Sequence, residues 1–175
     1  MKLPWMGEYR DMIEAVIGLA NSYNQICNYK VFSDRSGNIK LTATEVQIIE
    51  YVLENEERNE NMSAIAQRLS ISQSTFSKKV KQLVQMGLLE RYCTATNRKN
   101  IVIKVSEAGK NFYNYYAQSK QVDAWHEMFK ELDKIDKESI QSFTNALNIL
   151  RKSMLQTLEI KAVAAPGKMN LIKLD

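Results

Sequence analysis

Ile65-Ala-Gln-Arg-Leu-Ser-Ile-Ser-Gln-Ser-Thr-Phe-Ser-Lys-Lys-Val-Lys-Gln-Leu-Val-Gln-Met-Gly-Leu-Leu-Glu-Arg91 is the stretch that decides the fold. Ser63 to Leu69 predicts a short helix, and Ser70-Ile71-Ser72 a tight turn. Ser72 stands where an N-cap is wanted, because its hydroxyl can accept one of the first free backbone N–H groups of a helix. That helix runs to Met86, and Gly87 occupies the position after it where a left-handed residue closes the last turn. Two short helices across such a turn form a helix-turn-helix, whose second helix enters the major groove of DNA while the first braces it.

The composition of this second helix agrees with that role. At 100° per residue, Phe76, Val80, Leu83 and Val84 gather on one side and should face a core. The other side presents Ser74, Thr75, Lys78, Lys81, Gln82 and Gln85. An ordinary amphipathic surface helix mixes Glu and Asp with its lysines, yet no acid occurs from Leu69 through Leu89. Hydroxyls, amides and ammonium groups are what hydrogen-bond to base edges and phosphates.

Downstream, Leu88 to Tyr92 reads as a strand, Thr94 to Lys99 as an exposed loop, and Ile101 to Val105 as a β-branched second strand. Arg98 and Lys99 then lie at the tip of a hairpin, where an arginine can reach into a narrow minor groove. Upstream, Thr42-Ala43-Thr44-Glu45 has the spacing of a capping box and opens a helix through Val46, Ile49, Val52 and Leu53. The acidic run from Glu54 to Asn61 ends it. Before that, Ser33 to Asn38 is turn chemistry, and Tyr9 to Asn28 repeats apolar residues at helical spacing. After the hairpin, Ser106-Glu107 starts a helical periodicity that runs on through Phe112, Tyr115, Tyr116, Val122, Trp125 and Phe129. A break at Asp133 to Asp136 precedes a last helix carrying Phe143, Leu147, Leu150, Met154 and Leu158. The end of the chain, from Ala162 on, reads as a loosely docked tail. The expected organisation is an N-terminal helix and loop (1–40), a winged lobe (41–106), C-terminal helices (107–160) and a tail (161–175).

Charge is distributed to match. The 175-residue chain carries a net charge of +4, whereas Met62 to Lys110 alone carries +7 from nine basic and two acidic residues. A localised basic segment between mildly acidic flanks suits a polyanion-binding surface. The terminal helices are rich in Met, Leu, Ile and aromatic residues, more than so short a chain can cover, so a homodimer is expected.

Other chemistries find little support. His126 is the single histidine, which excludes a His-pair metal site, and neither GxxxxGK[ST] nor GxGxxG occurs. Neither a catalytic centre nor a cofactor nor a metal is expected. Cys27 and Cys93 form no CxxC pair and read as reduced thiols. The start of the chain has no basic-then-apolar signal pattern and no apolar run reaches the roughly 20 residues of a membrane span, so a cytoplasmic protein without membrane contact is expected.

The ordered motifs resemble the MarR family of bacterial transcription regulators. The likeness rests on Leu41-Thr42 opening a helix, on Ile65 to Ser77 followed by Val80, Leu83, Gly87-Leu88-Leu89 and Arg91, and on Val105-Ser106-Glu107-Ala108-Gly109. It extends to Asn97-Arg98-Lys99, where the family usually has Asp-Arg-Arg. Asn97 departs from the aspartate that helps hold the arginine, which predicts a less rigid wing. The resemblance implies a mainly helical protein with a small β-hairpin wing, a winged helix-turn-helix flanked by dimerisation helices. It implies an intertwined homodimer that binds double-stranded DNA, mostly as a repressor at near-palindromic operators, released by a small ligand, here an aromatic effector, or by thiol oxidation. The DNA-binding residues it implies, together with the helix face above, are Ser72, Gln73, Ser74, Thr75, Ser77, Lys78, Lys81, Gln82, Arg98 and Lys99. Two alternatives stay open: a redox sensor acting through Cys27 or Cys93, and a winged helix that binds proteins instead of nucleic acid.

Overall fold

The computed structural model describes residues 4–94 and 97–163, without the side chains of residues 94, 97–100, 121 and 157–163. They form two compact units, Met1–Asp123 and Ala124–Asp175.

The first unit opens with 3₁₀ turns (Pro4–Tyr9) and α1 (Arg10–Ile26). Two-residue strands β1 (Phe32–Ser33) and β2 (Lys40–Leu41) then pair antiparallel. The stretch expected to be a plain loop is therefore a small hairpin. Asp34 holds it closed: its backbone carbonyl accepts from Gly37 N–H (3.1 Å) and its carboxylate from Ile39 N–H (2.9 Å), while Gly37 takes φ 73°. Next come α2 (Ala43–Glu54), α3 (Met62–Arg68) and α4 (Gln73–Gln85). The hairpin β3 (Leu89–Thr94) and β4 (Asn97–Val105) follows, and then α5 (Glu107–Ala117).

Local chemistry fixes most of these boundaries. Thr42 and Glu45 make the full capping box of α2, Asn61 caps α3, Ser72 caps α4 and Ser106 caps α5. Helices α3 and α4 end alike. In each, the residue after the cap is left-handed and two backbone N–H groups fold back onto the last turn. Gly87 (φ 73°) fills that position after α4, and Ser70 (φ 55°) fills it after α3.

The core lies between α2, α3, α4, the hairpin and α5. Ile48, Ile49, Phe76, Val80, Leu83 and Leu88 are all fully buried. Gly109 lets α5 approach the end of α4: a Cβ there would stand 2.3 Å from the Leu88 carbonyl oxygen and 2.6 Å from Val105 Cγ1. Phe32 of the small hairpin meets Tyr116 edge-on at 5.4 Å.

Two elements differ from expectation. The helical run from Ser106 to Phe129 is broken: α5 stops at Ala117, a 3₁₀ turn spans Lys120–Val122, and α6 (Asp123–Leu132) starts anew. Apolar spacing survives the break because Tyr116 and Val122 both pack toward the core, so periodicity alone gave no sign of it. The wing is also more strand than loop. Thr94 pairs with Asn97, and both strands extend beyond their apolar segments because β-ladder hydrogen bonds need no apolar side chain.

In the second unit, α7 (Lys137–Val163) is the long element, and its bounds leave the expected tail beyond Val163 outside the described residues. No helix among the described residues is long and apolar enough to cross a membrane.

Candidate nucleic-acid interface

Helix α4 is held on three sides and open on the fourth. Phe76, Val80 and Leu83 anchor it in the core, and Val84 is half-buried. Of the expected contact residues, Ser72, Gln73, Ser74, Thr75, Lys78, Lys81 and Gln82 are all exposed along one side, whereas Ser77 is half-buried. The hydroxyls at the start of the helix are linked. Ser72 Oγ accepts from Thr75 N–H (3.3 Å), donates to Thr75 Oγ1 (2.8 Å) and lies 3.3 Å from Ser74 Oγ. Ser72 is thus engaged in capping, and Gln73, Ser74 and Thr75 project from a first turn whose N–H groups favour an anion.

The basic residues separate into two kinds. Arg68 Nε pairs with Glu60 (3.0 Å), whose other carboxylate oxygen accepts from Tyr51 Oη (2.7 Å). Lys79 Nζ turns inward to Glu45 (3.2 Å). Lys78 and Lys81 have no ion-pair partner among the described residues. A count along the sequence treats these four cations alike, but only the last two face outward unpaired.

Beside α4, a groove of about 300 Å³ runs between the start of α3 and the hairpin, lined by Ser63, Gln73, Ser77, Arg91 and Ile101 among others. Arg91 is exposed on β3 and stands here beside two of the expected contact residues. Sequence reasoning counted its charge but left it out of the site. Its place in the strand, two residues after Leu89 on the same side, was the available signal. The hairpin is tied to α3 by a bridge between Asn61 and Val102, so wing and helix-turn-helix share one frame. In that hairpin the register jumps: Cys93 pairs with Ile101 and Thr94 with Asn97. Arg98 and Lys99 therefore lie in an irregular part of β4, not in a loop, and their side chains fall outside the described residues.

A short capped helix, a left-handed turn, a recognition-type helix and a bridged hairpin define a winged helix-turn-helix. Residues 39–99 match the family model described as MarR family. Over these residues the winged lobe is similar to the MarR family. The chain is 26% identical over 95 residues to an uncharacterized HTH-type transcriptional regulator of Bacillus subtilis, YhjH, and spans about half the length of that curated relative, 53% of each chain being covered. MarR-type folds extend further along it. The zinc-responsive MarR family member ZitR of Lactococcus lactis superposes with a TM-score of 0.54 at 19% identity, covering 83% of this chain and 99% of ZitR. FabT of Streptococcus pneumoniae, solved in complex with DNA, gives 0.55 at 16% identity, covering 86% of this chain and 99% of FabT. The fold and the match over residues 39–99 thus agree with the MarR resemblance of the sequence.

The two cysteines and the histidine lie on other elements than α4. Cys27 is half-buried just after α1, donating to the Asn24 carbonyl (3.4 Å), and Cys93 is exposed on β3. His126 is exposed on α6, edge-on to Phe129. The described residues contain no cluster of three potential metal ligands.

Proposed function

We propose that this chain is a sequence-specific DNA-binding transcription regulator that acts as a homodimer, with α4 in the major groove and the wing against the neighbouring minor groove. One observation carries the reading: between a capped start and a glycine stop, α4 presents a continuous exposed, acid-free face, while its inward lysine, Lys79, is paired with Glu45. Gln73, Ser74, Thr75, Ser77 and Gln82 would meet base edges or phosphates, while Lys78 and Lys81 would meet phosphates, together with Ser72 at the helix start. Arg98 and Lys99 would serve the wing, and Arg91 the phosphate between helix and wing.

Dimerisation follows from the flanks. Met12, Ile17 and Tyr23 of α1 and Phe143, Leu147, Leu150 and Met154 of α7 are exposed in the single chain. A symmetric dimer would read two half-sites about 34–36 Å apart, one turn of DNA. Repression at near-palindromic operators, relieved by a small aromatic ligand, is the regulatory outcome that the family resemblance supports.

Selection of bound genomic fragments tests the proposal directly. An enriched, near-palindromic sequence is the expected result. On that sequence, the logarithm of the binding constant should fall steeply with the logarithm of salt, and Lys78→Ala or Lys81→Ala should each lower the slope by about 1. Arg98→Ala should weaken binding and leave the dimer intact in sedimentation. A folded dimer with no affinity for any duplex at low ionic strength would overturn the proposal.

A further inference from the structure

The inward lysine of α4 does work that no DNA contact can explain. Lys79 Nζ donates to Glu45 Oε1 and to Thr42 Oγ1, both at 3.2 Å. The same carboxylate accepts, on Oε2, the Thr42 backbone N–H (2.8 Å) and the Thr42 hydroxyl (2.9 Å). The hydroxyl in turn accepts the Glu45 N–H (3.3 Å). Both Glu45 carboxylate oxygens, the Thr42 hydroxyl and the Thr42 and Glu45 N–H groups are thereby engaged, and the one cation comes from a helix 34 residues further on. Glu45 and Thr42 are each only 2% exposed, so the charge on Glu45 is withheld from water and from DNA alike.

Such a pair is weak as a source of stability but strong as a constraint on geometry. A buried carboxylate is costly unless its partner sits at hydrogen-bond distance, and removing one partner leaves the other uncompensated. The apolar contacts of α4 through Phe76, Val80 and Leu83 are non-directional and would tolerate small rotation or sliding of the helix. The Lys79 ammonium permits neither, because it must reach two oxygens at the first turn of α2. Lys78 stands next to Lys79 in the chain and projects outward, so fixing one fixes the direction of the other.

Building on the DNA-binding reading, we propose that Lys79 and Glu45 form a positioning pair that sets the angle of α4 against α2, and with it operator affinity, without either residue touching DNA. Lys79 is therefore a cation of the basic segment that releases no counterion on binding.

The test separates three roles for Lys79. Lys79→Met, confirmed folded by circular dichroism, should lose about tenfold in operator affinity, the effect of one mismatched base pair, with the salt slope unchanged. Lys78→Ala on the same operator should lower the slope by about 1. Glu45→Gln, which keeps a residue suited to a capping box, should also lose affinity although it removes a negative charge, and Lys79→Arg, which keeps the cation, should retain more affinity than Lys79→Met. A slope reduced by about 1 in Lys79→Met would make Lys79 a phosphate contact, and unchanged affinity would leave it a merely structural lysine; either overturns the proposal. A second readout needs no DNA. With Cys27 and Cys93 replaced by Ser, spin labels at exposed Gln47 and Gln85 should give a broader distance distribution in Lys79→Met than in the parent protein. An unchanged distribution overturns the positioning role by itself. A parent protein that binds no duplex while its labels respond to Lys79→Met would instead sink the DNA-binding reading and leave the pair standing.

Discussion

Helix α4 and helix α7 carry apolar stripes of similar chemistry, and the structure treats them oppositely. Phe76, Val80 and Leu83 of α4 are fully buried, each at 0% exposure. Phe143, Leu147, Leu150 and Met154 of α7 repeat at four, three and four residues, as in a coiled-coil seam, yet each remains 38–59% exposed. The winged lobe therefore completes its core within one chain, because α2, α3, the hairpin and α5 surround α4. The α7 stripe has no such cover among the described residues, and exposed apolar seams of this length mark association surfaces. On the function proposed above, the lobe would meet DNA and the α7 stripe a second copy of the chain.

Paired substitutions should break that comparison most sharply. Phe76→Ala is expected to destabilise the lobe by about 3–5 kcal/mol, read as a shift in denaturant midpoint, since it removes a large ring from a site with no water access. Leu150→Asp should barely alter the unfolding of the lobe, but should weaken self-association by about 2 kcal/mol or more in sedimentation equilibrium, because it places a charge in an apolar seam. Equal effects of the two on lobe stability would erase the distinction between a closed and an open stripe.

A smaller effect is expected at the seam between α5 and the hairpin. Gly109→Ala places a methyl 2.3 Å from a backbone carbonyl, which cannot move as a side chain tip can. The expected cost is about 1–3 kcal/mol, from overpacking, in the same denaturation assay. An unaltered midpoint would mean that α5 slides freely on the wing base, and that the lobe is less closed than its burial implies.

How much of this was legible in the sequence depended on the range of each interaction. Ser72, Gly87, Thr42 with Glu45, and Ser106 are local signals whose partners lie within about one helical turn, and the helices that they bound stand where the residues predict. The buried stripe of α4 was equally readable from its period. Lys79 was not, because its partner lies in another helix and a lysine looks the same whether it turns inward or outward. Arg68 with Glu60 is similar. The break after Ala117 was hidden because Tyr116 and Val122 both reach the core from either side of it. The small hairpin at Phe32–Ser33 and Lys40–Leu41 is too short for periodicity, and only the turn residues Asp34 to Gly37 hint at it. In the candidate interface the exposed face of α4 was legible, while the groove residue Arg91 needed the α3, α4 and β3 positions together.

Acid should sharpen the same contrast at its smallest scale. Helices α3, α4 and α5 are capped by Asn61, Ser72 and Ser106, none of which titrates. Helix α7 instead starts on Asp136, whose carboxylate accepts from Ser139 Oγ (2.7 Å) and from Ser139 N–H (2.8 Å). The hydroxyl bond first, and the backbone bond after it, hold the Asp136 carboxyl below its usual pKa. A carboxyl with a lowered folded pKa lends its stabilisation above the unfolded value, and that contribution is lost as pH falls through the folded one. The Ser139 amide proton should therefore shift as the medium is acidified below the ordinary carboxylate range, while the Thr75 amide, held by Ser72, should not follow the same curve. Asp136→Asn keeps a capping oxygen but removes the proton site, so the shift at Ser139 should disappear with helix α7 intact. Persistence of the shift in that variant would place the acid response elsewhere, and the start of α7 would then be no more pH-sensitive than the start of α4.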